Sequence, residues 1–560
     1  RRMLSRGRIQ LLIIAVAAAL FIPGLGAVHL FDWDEINFAE IAREMLVTGD
    51  WLQPQINYLP FHEKPPLFIW FQALSMSAFG VNEFAARLPN AICGIITLLV
   101  LFRIGDRLHG RTFGMLWALA YIGSILPHLY FRSGIIDPWF NLFIFLGIDQ
   151  FIQLASSGTE KVKRHALLAG LFLGLAVMTK GPVGVLIPAL TVGVFWAMQR
   201  FRPIISWRPF LIATFSLLGT AALWAISDLV RHGPEFMIGF FWRQVAMLTS
   251  EDAGHGGFFG YHFVVLLLGC FPASLFALQE MLVRSNQRYS TVIPDTEPGQ
   301  PLNSPQPTTL YRKWMLILFW VVLILFSIVK TKIVHYSSMC YFPLTYLAAL
   351  QLERIWERKE QFGWSRYAIG SIGLLFASIT LAVPFIGMNI DMLKPFLQQD
   401  PFALANMDAA VHWNLFACMA GSVLLAALIA CHLLHKRGKF RDSVITVFCG
   451  TTLFVWLALF FFIGRVEGYS QRAAIDFFEE RQNEKCYVIT HGYKSYAQLF
   501  YSQKPMITEP RAYDEEWLMK GDVDRPVYVV CKVTSADEVA AIPTLREFYR
   551  KNGFVFFERE

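Results

Sequence analysis

Three carboxylates fall within four positions, Asp32, Asp34 and Glu35, with Trp33 between the first two. Acidic side chains at the start of a helix gain about 0.3–1 kcal/mol from its unpaired N–H groups, so capping explains part of the cluster. Like charges this close also disfavour one another's ionisation unless a cation or a substrate proton relieves them. A carboxylate in that setting can act as a general base. Asp34 is singled out for that role with Glu35 beside it, and Glu40, Arg43 and Glu44 follow. A second group, His62-Glu63-Lys64-Pro65-Pro66, opens another helical stretch. A lysine at a helix start is unfavourable and an anion there is welcome, which points to Lys64 as a phosphate contact. The plainer reading is a turn closed by two prolines. A third set is scattered: Arg132 and Asp137, Lys180, Arg231 and Arg243, His255, then Lys330, Lys332, His335 and Tyr336. Each alone reads as an anchor at a membrane surface, because Lys and Arg reach outward from span ends. Together they suggest an anionic ligand in a shared cavity. His255 could join Glu63 in holding a divalent metal, or be structural. No organic cofactor is called for.

Placing these groups together requires a membrane. Of 560 residues 55% are hydrophobic and only 16% charged, with a mean hydropathy of +0.44, whereas a soluble chain of this length is more polar. Apolar runs long enough to cross a ~30 Å hydrocarbon core predict thirteen spans, near 10–30, 88–105, 113–131, 138–155, 165–179, 182–198, 209–229, 258–278, 314–329, 336–352, 366–388, 412–434 and 442–464. The first is expected to be a retained anchor, since no small-x-small cleavage site precedes a mature domain. Basic clusters at Arg1–Arg8, Arg103–Arg111, Lys161–Arg164, Arg200–Arg208, Arg284–Lys313, Arg354–Arg366 and Lys436–Arg441 fall on alternate loops. By the positive-inside rule these loops are cytoplasmic, which exports the C-terminal region. The net charge of +7 then belongs at an anionic lipid surface and gives no reason to invoke nucleic acid.

The expected organisation is a polytopic α-helical membrane domain, 1–464, and a soluble periplasmic α/β domain, 465–560. The first outer loop, 31–87, is far longer than a connection needs. It reads as two interfacial helices, Phe38 to Val47 and Pro66 to Phe79. A second long outer loop covers 230–257, and 285–309 has the composition of a disordered linker. In the C-terminal region helices are expected over Ser470 to Glu480, Ser495 to Tyr501 and Ala536 to Asn552, with strands over Cys486 to Thr490, Val527 to Val533 and Phe554 to Phe557. Cys486 and Cys531 then fit either a disulfide in an oxidising compartment or two buried thiols.

With these residues assembled, the chain resembles the lipid-linked-sugar glycosyltransferases of the GT-C class. It is most similar to the bacterial lipid A 4-amino-4-deoxy-L-arabinose transferases and their relatives in the protein O-mannosyltransferase superfamily. The likeness rests on Asp34-Glu35 with Phe38 to Leu46 and Gly49-Asp50-Trp51, then Glu63-Lys64-Pro65-Pro66, Met178-Thr179-Lys180-Gly181, and Lys330 to Tyr336. It implies about thirteen transmembrane helices, an inner-membrane location, and transfer from a polyprenyl-phosphate sugar, undecaprenyl-linked, on the periplasmic side. It makes Asp34 the catalytic base with Glu35 and Asp137 beside it, and Glu63 and His255 metal contacts. Lys64, Arg43, Arg243, Lys180, Lys330 and Tyr336 become donor-phosphate contacts. Direct attack inverts the anomeric centre. The acceptor stays open among envelope lipid such as lipid A, glycan and protein, because His62 and the segment Lys330-Thr331-Lys332-Ile333-Val334-His335-Tyr336 depart in detail from the lipid A enzymes. A multi-span carrier is the competing class, but it would place ionisable groups at mid-bilayer.

Overall fold

The computed structural model describes residues 5–156, 161–249, 256–282 and 307–559. Among them, eight helices are long and apolar enough to cross a membrane. They are Glu83–His109, Asp137–Ser156, Val162–Lys180, Trp207–His232, Thr308–Ile328, Ser365–Met388, Leu415–Lys436 and Phe440–Gly468. Two further pairs, Arg111–Ile122 with Ile125–Arg132 and Tyr261–Gly269 with Ala273–Leu282, are bent by 83° and 115°. Counting each pair as one span gives ten. The other expected spans, near 10–30, 182–198 and 336–352, fall on Arg6–Phe21, Val183–Met198 and Tyr341–Arg358, which do not meet that standard of length and apolarity alone. The linker expected at 285–309 lies, up to residue 306, outside the described residues.

Irregular backbone at membrane depth has to find partners inside the protein. At the two bends the partners are each other: the N–H of Ile125 donates to the carbonyl of Phe271 at 3.2 Å. The contact is close enough that a Cβ on Gly269 would meet Leu126.

The first four helices are α1 (Arg6–Phe21), α2 (Asp34–Thr48), α3 (Leu67–Phe79) and α4 (Glu83–His109). Helix α2 carries two carboxylates in its first turn and ends at Gly49, whose φ of 71° forms a left-handed cap that costs glycine little. The sequence reading placed α2 at a lipid interface, but the structure buries it. Ile36, Phe38, Ile41 and Met45 join one apolar cluster with Phe68 and Ile69 of α3 and with Ile475, Phe477 and Phe500 from the C-terminal region. The apolar residues of α2 run round most of its surface, and such a helix is buried from several sides.

After two short strands in the first loop, β1 (Gln55–Ile56) and β2 (Leu59–Pro60), four more follow near the C-terminus: β3 (Tyr487–His491), β4 (Val527–Lys532), β5 (Arg546–Lys551) and β6 (Phe554–Arg559). They form a sheet of order β3-β4-β6-β5, with β3 parallel to β4 and the other pairs antiparallel. The helix expected over Ala536 to Asn552 is therefore corrected. It stops at Ala540, three residues before Pro543, whose ring excludes the preceding helical turn. Residues 546–551 instead form β5, joined to β6 by the two-residue turn Asn552-Gly553 with Asn552 at φ 54°. Tyr487 sits beside Val527 and His491 beside Cys531, so Cys486 and Cys531 lie at opposite ends of the ladder. Both are buried free thiols, too far apart along the strands for the roughly 4.4–6.8 Å between Cα atoms that a disulfide requires.

Candidate active site

Four segments distant in sequence bring their polar ends to one place. Asp34 begins α2, and Asp137 begins the helix Asp137–Ser156. Lys180 ends the helix Val162–Lys180. Each of these charges complements the partial charge of its own helix end. The fourth segment is the 3-10 turn Val334–Cys340, which presents His335 and Tyr336. His335 Nε2 lies 3.1 Å from Asp34 Oδ2 and 3.6 Å from Asp137 Oδ2. Lys180 Nζ donates to Asp137 Oδ1 at 2.6 Å and stands 5.1 Å from the centre of the Tyr336 ring. The chain Asp34, His335, Asp137, Lys180 thus alternates acid and base.

Asp34 keeps 37% of its side-chain surface open while Asp137 keeps 3%. Burial pushes the Asp34 carboxyl up, but the hydrogen bond and charge of His335, with the charges of Lys64 and Lys180, outweigh it and hold the group below the usual aspartate value. It is therefore a carboxylate at neutral pH. Lys64 lies in the loop before α3 and, among the described residues, makes no ion pair. Burial first and the Lys180 charge second hold its ammonium below the usual lysine value, against the pull of Glu63, Asp34 and Asp137. An anion entering beside Lys64 would relieve both penalties.

Asp34, Lys64, His335 and Tyr336 border a cavity of about 1040 Å³, and Asp137 and Lys180 stand behind them without lining it. The four bordering residues form its polar side, and Trp456, Leu459, Phe460 and Ile463 contribute an apolar wall. Lys494 and Tyr496 of the C-terminal region also reach it.

Several expected site residues have other partners. Both oxygens of Glu35 face the Arg87 guanidinium at 2.9 Å and also accept the N–H groups of Phe31 and Gly134. Its carboxylate oxygens are thus each engaged by two donors. Arg43 is drawn off the cavity altogether. It grips Glu40 one turn earlier at 2.6–2.7 Å and donates to the Lys504 carbonyl at 3.2 Å. The Arg243 guanidinium holds Glu63 at 2.6 Å. Lys330 is exposed, and neither it nor Arg243 lines the cavity. Lys332 collects the carbonyls of Phe326, Ser327 and Val329 at 2.6–3.1 Å, closing the end of the preceding helix. Arg132 does the same for Leu20 and Pro23 at the end of α1.

His255 lies outside the described residues. Among those described, Glu63 offers a metal one carboxylate that Arg243 already occupies. No chemical step is assigned to a metal.

Sequence reasoning named His335 without giving it a role; its only signal was membership of the charged segment 330–336. Arg87 was missed because one arginine near a span start resembles any interface anchor. The contribution of Lys494 and Tyr496 depends on a contact across more than 400 positions and left no signal.

Chemically, the arrangement offers an ionised carboxylate held by an imidazole and an ammonium that, among the described residues, has no ion-pair partner. An apolar wall stands beside both. The family of dolichyl-phosphate-mannose-protein mannosyltransferases matches residues 63–225. An undecaprenyl phosphate-alpha-4-amino-4-deoxy-L-arabinose arabinosyl transferase of Pectobacterium carotovorum is 28% identical over 440 residues, covering 76% of this chain and 72% of that protein. The protein of the same name from Erwinia tasmaniensis is 29% identical over 327 residues, 57% of this chain and 55% of its own length. In fold, the chain is similar to ArnT from Cupriavidus metallidurans bound to undecaprenyl phosphate, with a TM-score of 0.75 over 99% of this chain and 98% of that one at 20% identity.

Proposed function

We infer that this chain, which belongs to the ArnT-like and protein O-mannosyltransferase superfamily of GT-C glycosyltransferases, transfers a sugar from undecaprenyl phosphate to a hydroxyl of an envelope acceptor, with Asp34 as base. The observation that carries the reading is the placement of Asp34 on the cavity wall, 3.1 Å from His335 and within the electrostatic reach of Lys64 and Lys180.

In the proposed reaction the acceptor hydroxyl attacks the anomeric carbon as the carbon–oxygen bond to the lipid phosphate breaks. The hydroxyl proton passes to Asp34, and the bonding pair leaves with the phosphate. Negative charge grows on that phosphate, and a fixed ammonium at Lys64 stabilises it more than water would, because the site is partly closed. Lys180 adds charge from behind Asp137, and the Tyr336 ring borders the same space. His335 orients Asp34. Attack opposite the leaving phosphate inverts the anomeric centre. Glu35 and Arg43 are assigned to the scaffold.

The relatives' name supports 4-amino-4-deoxy-L-arabinose as the sugar, and lipid A remains the leading acceptor. Adding the helices Arg6–Phe21, Val183–Met198 and Tyr341–Arg358 to the ten spans makes a proposed count of thirteen, and on that count the N-terminal side is cytoplasmic, the α/β domain at 465–560 is periplasmic, and the cavity lies on the periplasmic face of the inner membrane.

The test is release of undecaprenyl phosphate from undecaprenyl phosphate-4-amino-4-deoxy-L-arabinose by the purified protein in lipid nanodiscs supplied with lipid A. The wild type is expected to turn over, and Asp34→Asn to be slower by about 10²-fold or more at an unchanged melting temperature, the scale of a lost general base. Full turnover by Asp34→Asn would remove the base assignment. A wild type inactive with this donor yet active with another polyprenyl-phosphate sugar would reassign the sugar alone.

A further inference from the structure

Trp33, the residue before the base, has φ 74° and ψ −107°. A bulky side chain rarely adopts positive φ, and such a conformation persists only where its surroundings over-determine it. Downstream, α2 supplies part of the constraint: the Trp33 carbonyl accepts the N–H of Asn37 at 2.9 Å. Upstream, the constraint comes from the C-terminal region, more than 400 residues away.

Asp32 is gripped from that side at both its side chain and its backbone. One carboxylate oxygen accepts the Ser495 hydroxyl; the other accepts the backbone N–H of Tyr496 at 3.5 Å. The Asp32 N–H donates to Gln471 Oε1 at 3.4 Å, and Gln471 Nε2 donates to the Leu30 carbonyl at 2.7 Å. The Leu30 N–H in turn donates to the Tyr501 hydroxyl at 2.7 Å. The Lys494 ammonium lies 5.3 Å from the Trp33 ring centre. Three successive elements of the C-terminal region, Gln471, the 493–496 loop and the helix Ala497–Ser502, therefore converge on residues 30–33.

We propose that Ser495 and Gln471 are positioning residues for sugar transfer: by holding Asp32 and Leu30 they keep Trp33 in its left-handed conformation and so keep Asp34 against His335. The C-terminal domain then completes the catalytic loop. This inference rests on the reading of Asp34 as the base. Loss of either grip lets Trp33 relax toward negative φ, which rotates the first turn of α2 and carries the Asp34 carboxylate away from His335. Lys64 and Tyr336 lie on other segments and stay in place, so donor binding survives.

The experiment compares full-length Ser495→Ala, Ser495→Thr and Gln471→Ala in nanodiscs, with undecaprenyl phosphate-4-amino-4-deoxy-L-arabinose as the donor. Ser495→Ala and Gln471→Ala are expected to lower kcat by about tenfold or more, since displacement of a reacting group by an ångström costs up to about 10². Their donor KM should stay within about twofold, because donor contacts are untouched. Ser495→Thr, which keeps the hydroxyl, should recover most of the rate. The acid limb of kcat should also move upward in Ser495→Ala, as Asp34 leaves the His335 contact that lowers its pKa. If Ser495→Ala does not fold, Gln471→Ala carries the same expectations. Wild-type kcat in folded Ser495→Ala and Gln471→Ala, with Asp34→Asn inactive, would overturn the positioning role and leave the base assignment standing. A loss confined to KM, or a threonine variant as slow as the alanine one, would overturn it too. Full turnover in Asp34→Asn would instead remove the reading on which it rests.

Discussion

At the residue scale, a base has to be ionised before it can accept a proton, and Asp34, the proposed base, reaches that state through its neighbours. Burial opposes ionisation, and the His335 hydrogen bond and charge lead the group of influences that restore it. Removing the imidazole should leave burial less opposed and raise the carboxyl. Turnover requires the ionised form, so the acid limb of kcat follows the Asp34 pKa. His335→Asn is therefore expected to shift that limb to higher pH, with the greater loss of rate below neutrality and the lesser one above it. A pH profile of kcat from about pH 4 to 8 reads the shift directly, since the limb of kcat reports groups in the substrate complex. An unmoved limb would mean that another group titrates there. The sequence contained both members of the pair, but 301 positions separate them and no pattern joins an aspartate in one loop to a histidine in another.

At the scale of elements, neighbouring positions on a helix part company. Asp34 and Glu35 read together as one acidic motif, yet residues i and i+1 of a helix do not face each other. Asp34 turns to the cavity and Glu35 to Arg87. That arginine also collects the carbonyls of Leu25, Val28 and His29 at 2.7–3.0 Å, which ties the segment after α1 to the start of α4. Arg87→Met would strand a buried carboxylate, a change that costs about 3–5 kcal/mol when one partner of a buried pair is removed. The double variant Arg87→Met/Glu35→Gln removes that charge and is expected to recover about half or more of the loss in denaturant midpoint, as a coupled pair should in a mutant cycle. Additive losses would show that Glu35 and Arg87 act separately. The same local geometry explains what was legible. Ten of the thirteen expected spans and the start of α3 follow from apolar runs and prolines, all local signals, whereas α2 begins at Asp34, four residues before the expected Phe38. The strand β5 was missed although Pro543 and the Asn552-Gly553 turn were visible, because the charged residues of Arg546–Lys551 suit an exposed helix as well as an exposed edge strand. The burial of α2 depends on a partner domain and could not be read locally.

At the scale of the whole molecule, the polar groups sort to the two ends of the helical bundle. The helix Asp137–Ser156 carries Asp137 in the active site and Asp149 in an ion pair with Arg107 at 2.6 Å, about 18 Å apart at 1.5 Å per residue. Near that second end Arg312 and Arg354 share the buried Glu280, at 3.0 and 2.6 Å. Arg107, Arg312 and Arg354 all belong to the clusters expected in the cytoplasm by the positive-inside rule, and the proposed orientation turns the end bearing Asp34, His335 and Lys180 the other way. The apolar cluster joining α2, α3 and the C-terminal sheet holds that sheet at the same end of the bundle as the cavity, the end proposed to be periplasmic. Reporter fusions test the orientation. Alkaline phosphatase, active only outside the cytoplasm, is expected to be active when fused after Arg559 and inactive after Arg437, with green fluorescent protein giving the reverse. A single crossing, the helix Phe440–Gly468, lies between the two fusion points, so agreement between them would remove that crossing. The opposite result at both points would turn the molecule over, place Asp34 on the cytoplasmic face, and exclude a donor presented from the periplasmic leaflet.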